Sequence, residues 1–329
     1  MSELHKFIFD GVAVRGIVVR LTGAWTEILR RRASNTQTGA YPAPVYYMLG
    51  ELLAAATLMQ SNIKFDGALI VQIFGDGPVK LMVAEVQPDL SLRATATVLG
   101  EVDPDAGLSA MVNQTNLGRC AITLDPKTRF PGQQPYQGVV PLFGDRGEKL
   151  EQLSDVLQHY MLQSEQLDTT LVLAADERIA AGLLIQRLPL QGAGNLAGSQ
   201  LASANEDRIG LDQDYKRIAL LASSLKREEL LNLDVDTILR RLFWEENLVR
   251  FEPLLDVAGP RFACSCSREK VGAMIVGLGA QEAQGIIAEQ GQIEVGCEFC
   301  GVQYRFDPID AAQLFRSAAE RPEGSSSAH

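Results

Sequence analysis

Four cysteines in one short window constrain this chain more than any other feature. Cys264 and Cys266 form one close pair, Cys297 and Cys300 a second, and the only other cysteine, Cys120, lies far upstream. Two thiol pairs brought together by a returning chain can place four sulfurs at the corners of a tetrahedron. That arrangement suits Zn2+, which accepts soft ligands and has no geometric preference from its d electrons. The C-x-x-C pair has ordinary zinc-knuckle spacing and the C-x-C pair is one residue tighter. The loop between them, residues 267–296, is longer than the usual spacer of about 15–20 residues. A generic zinc ribbon therefore fits imperfectly, and four unrelated buried cysteines fit worse.

Whether such thiols bind metal or cross-link depends on the compartment. Residues 1–6 carry no apolar segment or cleavage site for secretion. Residues 45–59 are apolar, but they are too few to span a bilayer and they include Glu51. We expect a soluble, cytoplasmic chain with no membrane association, where reduced thiols favour metal over a permanent disulfide framework. A net charge of −11 argues against a nucleic-acid partner, since phosphate contacts need clustered Lys and Arg. The run Arg30-Arg31-Arg32 is the only dense basic patch and reads as a solvated helix end.

The 329 residues leave room for two domains, and 46% hydrophobic against 22% charged residues describes a globular chain. Strands are expected at residues 12–20, 68–74, 79–86, 91–98, 119–124 and 138–142, and a hairpin at 170–174 and 179–187. Helices are expected at 24–32, at 45–60 (apolar all round, with Pro44 in its first turn) and at 149–166. Strands and helices without regular βαβ alternation predict an α+β fold. Gly75-Asp-Gly-Pro78 reads as a turn, Cys120 as a small buried hydrophobe, and His159 as a boundary residue. Residues 1–190 form the expected core domain, and 191–204, rich in Gly, Ala and Ser, a flexible connection. The linker region runs to 255. In it, residues 214–224 put Ile218, Leu221 and Leu225 on one apolar face, and Asp236 is the expected N-cap of a helix at 237–244 bearing Ile238, Leu239, Leu242 and Phe243. A cysteine module at 256–310 and a partly disordered tail at 311–329 complete the division.

The window Phe262-Ala-Cys-Ser-Cys-Ser-Arg-Glu-Lys270, with Glu289-Gln-Gly-Gln-Ile-Glu-Val-Gly-Cys-Glu-Phe-Cys-Gly301 and Tyr304-Arg-Phe306, resembles the redox-switch domain of the 33 kDa heat-shock chaperonin family. Tyr160-Met-Leu-Gln-Ser-Glu-Gln166, Gly75-Asp-Gly-Pro78, Tyr136-Gln-Gly-Val-Val140 and residues 239–246 also look like that family's segments, so the resemblance spans residues 12–306. It implies a holdase, not an enzyme, with one zinc per chain on Cys264, Cys266, Cys297 and Cys300 in the reduced state. It further implies oxidation to Cys264–Cys266 and Cys297–Cys300 disulfides, with loss of zinc and unfolding of the linker. Homodimerisation of the oxidised form and transfer of unfolded clients to ATP-dependent chaperones are implied as well. On this view Ile218, Leu221, Leu225, Leu239, Leu242 and Phe243 are the candidate client-binding residues.

Two other readings stand beside it. A dithiol oxidoreductase using Cys297 and Cys300 needs that pair at the start of a helix in a βαβ context. Here strand-like residues precede and follow it. An inert structural zinc in a protein-binding domain is the third. No hydrolase or nucleotide-binding pattern is present: Gly144-Asp-Arg-Gly147 and Gly277-Leu-Gly279 are too short to cradle phosphate.

Overall fold

A helix that is apolar on every side has to be enclosed by other elements. Helix α2 (Ala43–Asn62) is of that kind, with buried residues from Pro44 to Gln60 around its whole circumference and Pro44 in the first turn. In the computed structural model, which describes residues 2–35, 38–128, 134–188 and 213–319, this helix lies between two six-stranded sheets. The first sheet runs β10 (Leu248–Arg250), β1 (Glu3–Phe9), β2 (Val14–Leu21), β9 (Ala180–Arg187), β8 (Thr169–Ala175), with β11 (Leu254–Leu255) also paired to β1. The second runs β12 (Arg261–Phe262), β5 (Ser91–Val98), β4 (Val79–Val86), β3 (Gly67–Phe74), β6 (Arg119–Pro126), β7 (Tyr136–Pro141). All pairings are antiparallel except β12 on β5. The α+β class expected from the sequence is the one found.

The first sheet is buried on both faces. Strand β9 shows this in its sequence, Ala-Ala-Gly-Leu-Leu-Ile-Gln-Arg, seven of whose eight residues are buried. A near-continuous apolar run is what two covered faces require. One face meets α2. The other meets three helices of the linker region: α5 (213–223), α6 (Arg227–Asn232) and α7 (Val235–Phe243). Phe7, Phe9, Val18, Leu183 and Ile185 of the sheet pack there with Ile218, Leu225, Ile238, Leu239, Leu242 and Phe243. The Phe243 ring stands edge-on to Phe9 at 5.1 Å between centroids.

Several expectations need correction. Asp234, not Asp236, caps α7: its carboxylate accepts the Thr237 amide at 2.8 Å, so the helix starts two residues earlier. Asp236 lies in the first turn and pairs with Arg250 at 2.6 Å. Strand β1 lies outside the strands expected from the sequence, because Lys6 interrupts its apolar alternation. The helix expected from residue 149 begins at Leu153 in α4 (Leu153–Glu165). A short helix, α3 (Leu108–Val112), was also unforeseen; Asp76 in its Gly-Asp-Gly turn anchors the chain beyond it by accepting the amides of Gln114, Thr115 and Leu117.

The largest departure lies between the cysteine pairs. Residues 267–296, expected as a loop, contain α8 (Arg268–Leu278) and α9 (Ala280–Gln290), meeting at 106°. Gly279, at φ +97°, makes that corner, in a region of backbone space open chiefly to glycine. Gly272, Gly277 and Gly285 dilute the helical signal in the sequence. Nor does the module stop at residue 310: α10 (Pro308–Ala319) starts before it, and Ala311 is buried with Ile275, Ala283, Ile293 and Phe306. The connection at 191–204 and the residues from 320 onward lie outside the described residues.

Candidate metal centre and its seat on the core

The two cysteine pairs arrive by different routes. Strand β12 pairs with the edge of β5, and the extended chain after it carries Cys264 and Cys266 before Ser267 caps α8 by accepting the Lys270 amide. The second pair lies in the turn of a small hairpin, β13 (Ile293–Gly296) and β14 (Gln303–Phe306). There the Cys297 amide donates to Val302 O at 2.9 Å and the Gly301 amide to Cys297 O at 2.8 Å. Gly301 sits at φ +73°, so the chain can reverse just after Cys300.

These routes converge. All four Sγ atoms lie within 4.8 Å of one another, with Cys264 3.6 Å from Cys297 and Cys266 3.3 Å from Cys300. Tetrahedral zinc with bonds of ~2.3 Å to sulfur has S···S edges of about 3.8 Å, so the four-sulfur set fits that ion in donor type, number and spacing. Cys300 is buried and the other three are half-buried. Burial pushes the Cys300 and Cys297 thiols up. Burial also acts upward on Cys266, but the Tyr304 hydroxyl, donating to its sulfur at 3.1 Å, and the neighbouring thiols bring it down to about 7. Four thiolates at these separations repel one another, and a divalent cation is what would let all of them ionise together.

The core domain contributes to this seat. Arg93 on β5 places Nη1 3.8 Å from Cys264 Sγ and its guanidinium 4.2 Å over the Phe299 ring. Thr95, two residues along the same face, donates its hydroxyl to Glu298 O at 3.0 Å. From α1 (Gly23–Ala33), Arg31 donates to Cys300 O at 3.5 Å and stacks over Phe262 at 4.7 Å. The arginine run is therefore not a solvated helix end throughout. Arg30 is exposed and pairs with Glu27; Arg31 also pairs with Glu27, at 2.6 Å, but reaches the knuckle as well, and Arg32 stacks on Tyr41 at 4.2 Å. Successive residues of a helix point about 100° apart, so one run serves three directions.

Other candidates fall into place. Cys120 is buried in β6 opposite Ile73 and Val140, outside the sulfur cluster, and burial pushes its thiol up to about 12. His159 is largely shielded on α4, 3.7 Å from Asp145. Ile218, Leu225, Leu239, Leu242 and Phe243 are buried against the first sheet and Leu221 partly so. Cys297 and Cys300 lie between antiparallel strands, not at a helix N-terminus, which disfavours the oxidoreductase.

A family model described as Hsp33 protein matches residues 2–307. The chain belongs to the Hsp33 family. Among curated relatives, the 33 kDa chaperonin of Chromobacterium violaceum is 42% identical over 314 residues, 95% of this chain and 94% of its own length. That of Methylobacillus flagellatus is 38% identical over 324 residues, 98% and 97% of the two chains. The crystal structure of the Thermotoga maritima 33 kDa chaperonin shares the fold, with a TM-score of 0.71, 18% identity, and 97% of this chain and 99% of that one covered. Among the described residues, no single helix is long and apolar enough to cross a membrane.

Proposed function

We propose that this protein is a redox-gated holdase of the cytoplasm, a chaperone that keeps unfolding proteins from aggregating and is silent while its four cysteines are reduced and metal-bound. The convergence of four sulfurs at the end of the segment that follows the linker helices supports this most directly. Zinc is the ion the donor set suits, one per chain, held by Cys264, Cys266, Cys297 and Cys300; when bound, it supplies the cross-link between the strand carrying the first pair and the knuckle carrying the second.

The chain's own connectivity suggests how the gate works. From α7 the backbone passes along the first sheet as β10 and β11, crosses to the second as β12, and ends at Cys264. These pairings are only two or three residues long. A strap of that kind needs its far end anchored. Written as thiols, each cysteine pair gives two hydrogens and two electrons to a peroxide, which leaves as two waters, and the pair becomes a disulfide that no longer offers two thiolate ligands. The two short sulfur contacts, Cys264 to Cys297 at 3.6 Å and Cys266 to Cys300 at 3.3 Å, run between the pairs and so do not by themselves point to neighbour pairing. On the neighbour pairing implied by family resemblance, each disulfide closes a loop worth about 1.5–2 kcal/mol, against nearly 4 kcal/mol for a cross-pair closing the long spacer. Neighbour disulfides therefore cannot replace the cross-link, and the strap and then α7, α6 and α5 are released. That exposes the apolar face formed by Ile218, Leu221, Leu225, Leu239, Leu242 and Phe243 together with the sheet beneath it, a contiguous surface suited to unfolded clients.

Dimerisation of the oxidised form and onward transfer of clients to ATP-dependent chaperones belong to the same proposal. Cys297→Ser tests the gate. It should hold unfolded clients under reducing conditions, where the parent does not; a well-folded, inactive Cys297→Ser protein in reductant contradicts gating.

A further inference from the structure

The linker helices are held to the core by apolar burial, which no oxidant alters. The sulfur module meets the core differently, through polar contacts of Arg93, Arg31 and Thr95, and of these only Arg93 contacts a cysteine sulfur. We propose that Arg93 is a positioning residue that makes the seat of the cysteine module on the core domain depend on thiolate charge, so that oxidation undoes the docking as well as the module's internal cross-link. This deepens the gating proposal and rests on it.

Arg93 is largely shielded, its side chain 19% exposed. Its Nε and Nη2 both donate to Glu85 Oε2, at 3.0 and 2.6 Å, and Glu85 is its cross-strand partner on β4. That pair fixes the guanidinium and leaves Nη1 directed at Cys264 Sγ, 3.8 Å away. The guanidinium plane meanwhile covers Phe299, which lies between Cys297 and Cys300. One planar group therefore touches a sulfur of the first pair and the aromatic ring inside the second. A hydrogen bond to an ionised acceptor is roughly twice as strong as one to a neutral acceptor. A thiolate, free or metal-bound, presents negative charge to Nη1; a disulfide sulfur presents none. The contact should thus favour the reduced module and lose most of its strength on oxidation. Lysine cannot replace it, because an ammonium has neither the fork that engages Glu85 and Cys264 together nor the flat face that covers Phe299.

The experiment uses the full-length, zinc-loaded protein and reads proteolytic cleavage within residues 248–263, zinc content and client holding. In reductant, Arg93→Met combined with Glu85→Gln, which leaves no unpaired buried carboxylate, should retain one zinc per chain yet be cleaved roughly tenfold faster than the parent. After peroxide the two should be cleaved at the same rate, because the parent has lost the same contact. Arg93→Lys should fall between them in reductant. Phe299→Leu removes the stacking partner without touching the core sheet, and should reproduce the effect in weaker form if the double variant folds poorly. A variant-to-parent ratio that is the same before and after oxidation would make Arg93 a redox-blind structural residue and overturn the inference, as would an unchanged rate in reductant. Failure of the gating proposal would show separately, as a parent that holds no client after peroxide whatever the cleavage ratio.

Discussion

The linker helices and the cysteine module both rest on the core domain, but on different sheets and by different forces. Helices α5 to α7 bury a continuous apolar face against the first sheet, with Phe7, Phe9 and Phe243 clustered near its centre. The module meets the second sheet through Arg93 and the Thr95 hydroxyl and α1 through Arg31, and among the described residues its own cluster fully buries Ile275, Ala283, Ile293, Phe306 and Ala311 alone. A segment of that size is marginal on apolar burial alone, and metals or disulfides commonly add what such small cores lack. On the gating proposal, one seat is insensitive to oxidation and the other depends on sulfur chemistry. The two are joined by the strap of β10, β11 and β12, so the sensitive seat can govern the insensitive one.

Removing the metal should break this contrast most completely. Structural zinc contributes on the order of 10–16 kcal/mol of apparent binding energy in small finger peptides, and that energy is folding energy. A chelator should therefore unfold residues from 264 onward while the core keeps its own denaturation midpoint. Hydrogen exchange should show protection lost in α8 and α9 and retained in α2. Leu52→Ala attacks the opposite side. Leu52 is fully buried between the sheets, so truncation should cost about 2–5 kcal/mol in a denaturant titration and the same in the oxidised and reduced protein. A cost that changed with oxidation would mean that the core between the sheets is not independent of the module.

Much of this division is legible in the chain, for identifiable reasons. Cysteine pairs declare their chemistry by residue type and spacing, and α2 declares its burial by its long apolar run and its single charged residue, Glu51. The stripe of Ile218, Leu221 and Leu225 is readable because helical periodicity survives in it. Arg93 is not readable, because it meets Cys264 across 171 positions of sequence and nothing local distinguishes it from a solvated arginine on a strand. Arg31 hides within a basic run for the same reason. Helices α8 and α9 are obscured by their glycines, and Asp234 competes with Asp236 as a cap on equal chemical terms, so only the backbone decides.

Smaller effects sharpen the comparison at the linker. Replacing Leu221 and Leu225 together by Asn should loosen α5 in the reduced protein by about 2–3 kcal/mol, since Leu225 is buried and Leu221 only partly so. If this face grips clients, the oxidised double variant should also hold them less well in a light-scattering assay; unchanged holding would place the client surface elsewhere. A pH effect should appear where α6 meets α2. Burial pushes the Glu51 carboxyl up from 4.5 to about 7, and Arg227, 3.5 Å away, offsets this only in part. The folded state then binds more protons than the unfolded state between these values, so stability should fall as pH rises from about 4.5 to 7 and level off beyond. Glu51→Gln should flatten that slope in denaturant midpoints measured at each pH.

The central claim is that losing the sulfur-held metal and gaining client binding are one event. Zinc content and suppression of client aggregation should therefore be measured on the same sample before and after peroxide. One zinc per chain with no suppression, changing to no zinc with strong suppression, and reverting together when reductant and zinc are restored, is the expected result. Suppression that appears while the zinc stays bound, or zinc lost with no suppression gained, would contradict the mechanism.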